Sequence, residues 1–226
     1  MTELQPAIVV FGDVVDSRRD PGASAFLRSL RDELDIAYLT ERLAPAGFTQ
    51  GDELQLLLRP DADPFLAVVR AGLHPGAREL RWAVVYGFVE PGTGPATERN
   101  GPAFHAAREA VERARTRREG MVVRTGDAHA DGLLADLAPL LPALLGELTA
   151  RQREVGRLVL VDHLRLADTA ERLRVSRATV SVIADRGRVR HLGRLAASLA
   201  QLFREGSIAA ATPTPAASPL RAGSAA

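Results

Sequence analysis

The chain predicts an α+β fold, a ferredoxin-like βαββαβ unit followed by an all-α region. Three observations carry this. The apolar residues of the first half alternate between short β-branched runs and helical spacing, in the order β-α-β-β-α-β-α-β. Gly51-Asp52 separates two short apolar runs in the middle, as a hairpin tip does. From His129 to Glu205 the pattern is helical throughout. A length of 226 residues suits one large domain or two small ones.

Residues 7–15 form a β-branched run ending at Asp16-Ser17, hence a buried strand. Residues 22–43 place Phe26, Leu27, Leu30, Leu34, Tyr38 and Leu39 at helical intervals. Residues 46–49 and 54–58 are the two hairpin strands, and residues 64–73 a short helix. Residues 80–89 form a long strand with Trp82 and Tyr86 in the core. A Gly/Pro/Thr loop follows, and Pro102 at a first helical position opens a helix to about Arg118. Residues 121–124 are the last strand. A hairpin between two crossovers implies a mainly antiparallel sheet with helices on one face. The expected units are an α+β domain over 1–128, a helical domain over 129–206 and a disordered Ala/Pro/Ser/Thr-rich tail over 207–226.

Composition narrows the chemistry. There is no cysteine, which excludes disulfides, thiolate metal sites and cysteine nucleophiles. All 29 basic residues are arginine, which excludes a Walker-type phosphate loop, a Schiff base and a lysine base. The net charge of +1 hides an asymmetry. Residues 1–147 hold 16 Arg and 22 acidic residues, net −6; residues 148–226 hold 13 Arg and 6 acidic residues, net +7. The basic half is the one that suits nucleic acid. No apolar run approaches the ~20 residues of a membrane span, so a cytoplasmic protein with no membrane partner is expected.

Residues 166–185 have helix-turn-helix spacing. Ala170 is the small residue midway along the first helix, and Val175, Val180 and Ile183 are the inward apolar positions. Ser176 can cap the second helix. The turn position that usually holds glycine holds Arg174. In a major groove, Arg177, Ala178, Thr179, Ser181 and Val182 would face base edges, and Arg172, Arg174, Arg186 and Arg188 would face phosphates. A plain three-helix bundle that binds nothing would match a looser version of the pattern. Val189, Leu192, Leu195, Leu199, Leu202 and Phe203 form an apolar stripe, either core or the surface of a homodimer.

The first half carries two acidic tips, Asp13 with Asp16 at the end of the first strand and Asp52 with Glu53 on the hairpin. A split βαβ fold makes those elements neighbours. Converging carboxylates need a cation between them, and hard oxygen donors suit Mg²⁺. Each Asp could instead simply start a turn. His105 is either a base or phosphate ligand near this edge, or a packed structural residue. Asp127-Ala128-His129-Ala130-Asp131 reads as a helix start.

These residues resemble two families. The first strand ending in Asp13, the Gly51-Asp52 hairpin and the split palm are similar to class III nucleotide cyclase and GGDEF domains. That resemblance implies Asp13 and Asp52 as metal carboxylates and Arg108 as the transition-state arginine. The family's asparagine position holds Phe104 or His105, and its base-selecting lysine cannot exist here. The chain to about residue 205 more closely resembles the SatD family. Gly12-Asp13-Val14-Val15-Asp16-Ser17, residues 49–55 and residues 101–109 carry that likeness, and a C-terminal helix-turn-helix fits it. The expectation is a SatD-like regulator that binds a nucleotide or other phosphorylated molecule with Mg²⁺ and binds DNA. The alternatives are a divergent nucleotidyl cyclase or phosphoryl-transfer enzyme, and an adaptor that no longer binds DNA.

Overall fold

A computed structural model describes residues 3–49, 53–117 and 119–212. The elements are β1 Gln5–Val14, α1 Ala23–Ala37, β2 Arg42–Phe48, β3 Glu53–Leu58, α2 Phe65–Gly72, β4 Leu80–Val89, α3 Pro102–Arg117 and β5 Met121–Arg124. The helices α4 Ala128–Leu137, α5 Leu140–Gly146, α6 Ala150–Leu160, α7 Leu166–Leu173, α8 Arg177–Arg186 and α9 Val189–Ala211 follow. This is the α+β order expected.

One five-stranded sheet runs β2-β3-β1-β4-β5. β1 is central and antiparallel to both β3 and β4, and β5 adds to β4 in parallel through the α3 crossover. The first four strands therefore have the ferredoxin-like order.

The expectation of helices on one face does not hold. Ile8 and Val10 of β1 pack with α1, α2, α5 and α9. Ala7, Val9 and Phe11 point the other way and pack with Ala103, Phe104, Ala107, Ala110 and Val111 of α3. With both faces covered, β1 is apolar at almost every position and buried from Ala7 to Val14. A strand buried on both sides loses the alternation that marks a half-exposed one.

The sequence 101–104 is largely a packing instruction. Gly101 has φ +133 and lies against the backbone of Val89, where a Cβ would come within 2.7 Å of the Val89 Cα. Pro102 opens α3, and Phe104 meets Phe11 with ring centroids 6.0 Å apart. The Asp127 segment caps α4: Asp127 accepts the Ala130 amide, and Asp131 accepts both the amide and the hydroxyl of Thr125.

The helical region is not set apart from the sheet. One apolar core runs from Ile8 and Trp82 through Leu134 and Leu141 to Leu192, Leu199 and Phe203. The α9 stripe is thus buried within the chain, and Phe203 packs edge-on against Phe65 of α2. α9 also continues to Ala211, so residues 207–211 are helix rather than tail. Residues 128–146 are apolar enough by composition to cross a membrane. They fold as two helices whose Leu134, Leu141 and Leu145 enter this core.

Candidate functional site

A polar cavity lies at the end of β1. Its volume is about 840 Å³, and its lining includes Asp13, Asp16, Ser17, Arg18, Arg19, Arg81 and Arg115. β1 delivers Asp13 as its penultimate residue, and a 3-10 turn at Ser17–Arg19 carries the two neighbouring arginines. Asp16 starts that turn in a left-handed conformation, φ 52, and is exposed. Ala23 and Ser24 of the first turn of α1 complete one wall. That turn has no acidic residue, so the positive end of the helix dipole adds to the arginines.

Asp13 is 2% exposed, and its cation is a pair of arginines. Arg115 Nη2 donates to both carboxylate oxygens at 3.1 Å, and Arg81, its cross-strand partner, stands at 3.5 Å. Arg18 and Arg19 are exposed and have no ion-pair partner among the described residues. The cavity therefore offers two carboxylates, Asp13 held by arginine and Asp16 exposed, against four guanidiniums, a surplus of the donors that grip phosphate.

On the hairpin side, Glu53 is the cross-strand partner of Asp13. Burial is the first cause that raises the Glu53 carboxyl above its ordinary value, with the Asp13 charge adding to it. A hydrogen bond from Gln55 Nε2 at 2.6 Å and the charges of Arg108 and Arg115 act against that rise. Arg108 and Arg115 are seven residues apart, about two turns on one face of α3. Asp52 lies outside the described residues.

His105 is exposed in the first turn of α3, about 15 Å along the helix from Arg115, toward the far end of the sheet. The neighbour packed in the core is Phe104. Among the described residues no group of three His, Asp or Glu is placed to hold a metal ion. Asp13 fits Mg²⁺ chemically as an oxygen donor, but only in exchange for the Arg115 contact.

The second candidate surface is α7–turn–α8. Val155, Ala170, Val180 and Ala184 form its core, with Val175 and Ile183 packed against them, so the four inward positions of the motif are met. Ser176 Oγ accepts the Thr179 amide at 3.1 Å and caps α8. Arg174 takes φ 54, the left-handed turn conformation that glycine would hold without strain. Arg172, Arg174, Arg177, Thr179, Arg186 and Arg188 are exposed, Ser181 is half-buried, and Val182 is 49% exposed. The support helix α6 starts with a capping box, Thr149 with Gln152.

α6 ties this unit to α1 and α2, which pack on the sheet. Arg157 and Arg70 of α2 both contact Glu33 of α1 at 3.0 Å, and Arg153 donates to the Gly72 carbonyl at 2.9 Å. Asp13, Glu53 and the α8 face are the candidates that the sequence itself marks. Arg81 and Arg115 carry no such mark, because strand register and helix crossing bring them to Asp13. Arg18-Arg19, directly after Asp16-Ser17, was a visible signal.

No protein-family model matches the chain, and no curated protein matches it. Among solved structures it is similar to a bacterial light-regulated adenylyl cyclase, with 14% identity over 54% of this chain and 44% of that one, TM-score 0.37. A second such cyclase structure gives 15% identity over 57% and 44%, TM-score 0.39. The chain thus spans less than half the length of those cyclases. It is also similar to a regulator of polyketide synthase expression from Bifidobacterium adolescentis, with 17% identity over 89% of this chain and 82% of that one, TM-score 0.24. Likeness at this level carries no argument about activity, and the α+β fold rests on the strand order itself.

Proposed function

We propose that the chain is a SatD-like cytoplasmic regulator that binds DNA through α8 and a nucleotide or related phosphorylated ligand in the basic cavity. The observation that carries the reading is the row of exposed arginines on a capped, well-packed α7–turn–α8 unit. Guanidiniums at Arg172, Arg174, Arg186 and Arg188 would release counterions from phosphates, and Arg177 at the start of α8 is placed to meet a base edge. In the cavity, Arg18 and Arg19 supply charge for phosphate oxygens. Mg²⁺, with Asp13 and Asp52 as its carboxylates, belongs to the same reading as the ligand's companion.

The test is fluorescence anisotropy of the full-length protein with a random duplex pool at stepped salt. Affinity should fall steeply with salt, and Arg177→Ala should cost about 1–3 kcal/mol. Salt-independent or undetectable binding would sink the DNA reading. Thermal shift with nucleoside triphosphates, with and without Mg²⁺, tests the cavity separately, and Arg18→Ala with Arg19→Ala should abolish the shift.

One observation favours a divergent cyclase or phosphoryl-transfer enzyme as the second reading. Asp13 and Glu53 are register partners with Arg108 in electrostatic reach. Turnover should still be slight, since a missing preorganised donor costs on the order of 100-fold. Robust cyclic-nucleotide production abolished by Asp13→Ala would promote it.

A further inference from the structure

A second cavity, of about 790 Å³, opens where the sheet meets the helical region. That volume is in the range that takes drug-sized molecules. Val68 and Ala71 of α2, Leu80 and Trp82 of β4, and Leu140 and Leu145 of α5 make it largely apolar. Leu140 is 47% exposed, so apolar surface continues to the open side. It shares no lining residue with the basic cavity.

The charged residues of the lining fall into two sets. Both arginines are committed. Arg78 is paired with Asp20 and bonded to the carbonyls of Gly76 and Ala77. Arg153 is bonded to the carbonyls of Gly72 and Leu148. The other set is Glu79, Glu119 and Glu147. Glu79 and Glu147 are exposed and meet no cation among the described residues, and Glu119 reaches Arg113 only at 3.8 Å. Arg78 is offset by Asp20 and Arg153 keeps its charge, so the three carboxylates leave the lining net negative.

We propose that this cavity binds a small organic cation, its apolar or aromatic body against β4 and α5 and its positive group among Glu79, Glu119 and Glu147. Burial of apolar surface drives entry, and the carboxylates select the sign of the charge. An anion of the same shape would meet three carboxylates, and among the described residues Arg153 is the one guanidinium of the lining without a carboxylate partner to offset them. The occupant would touch α2 and β4 on one side and α5 and Arg153 on the other, so it would stiffen the junction between sheet and helices.

The probe is tetraphenylphosphonium, with tetraphenylborate as the anion of matching shape, titrated into the full-length protein. Trp82 is the sole tryptophan of the sequence and lines the cavity, so its fluorescence reports occupancy. The phosphonium should give a saturable fluorescence change and raise Tm, and the borate should bind roughly tenfold more weakly or not at all. Glu79→Gln combined with Glu147→Gln should weaken the phosphonium roughly tenfold while leaving the Tm of the free protein in place. Leu140→Arg, which puts a guanidinium at the opening, should abolish binding. Equal responses to the two ions, no saturable response to the phosphonium, or unchanged affinity in both variants would each overturn the proposal. Nucleotide binding in the basic cavity is read separately and should not respond to these variants.

Discussion

Arg174 shows how one residue can serve two opposed demands. Its backbone is left-handed, φ 54, at the C-cap of α7. A side chain there costs roughly 1–2 kcal/mol relative to glycine. Arg174→Gly should therefore stabilise the protein by about 1 kcal/mol in chemical denaturation. The same variant should lower DNA affinity and flatten its salt dependence if Arg174 meets a phosphate. Glu53 makes a comparable statement through pH. Its carboxyl is raised above 4.5, with burial the leading cause. A raised acid binds its proton better in the folded state, so its ionisation costs stability as pH rises from 4.5 through the folded value. Glu53→Gln should thus raise stability at neutral pH, and the gain should vanish below about pH 4.5, which a series of unfolding curves would show.

At the scale of elements, α9 has the largest structural task. It carries Leu192, Leu199 and Phe203 into the core beneath α2 and α5 while its first turn closes the α6–α8 unit through Val189. Phe203→Ala should cost about 3–5 kcal/mol, more than any single change in α7 or α8. The stripe was visible in the sequence at helical spacing, but its destination was not. An apolar stripe reads the same whether it packs within the chain or against a second copy. α3 is similar: its length and its Pro102 start were legible, and the sheet face it covers was not.

For the whole molecule, the shared core and the Glu33–Arg70–Arg157 cluster join sheet and helices. The prediction is a single unfolding transition, coincident when followed by Trp82 fluorescence and by helical circular dichroism. Two separated transitions would mean that the regions fold independently. Because Leu192, Leu199 and Phe203 need the sheet side of the core, DNA binding belongs to a test on the full chain rather than on an excised helical fragment.

By itself the sequence determined the element order, the hairpin, the helical second half, the spacing of α7 and α8, and the acidic ends of β1 and β3. Each of these is written in local periodicity, turn residues or caps, which act over a few neighbours. Only the tertiary structure decided that Asp13 is answered by Arg115 from 102 residues away. It also decided that α3 covers a second sheet face, and that α9 is spent inside the chain. Those outcomes depend on strand register and helix crossing, which bring residues together without any trace in the local pattern.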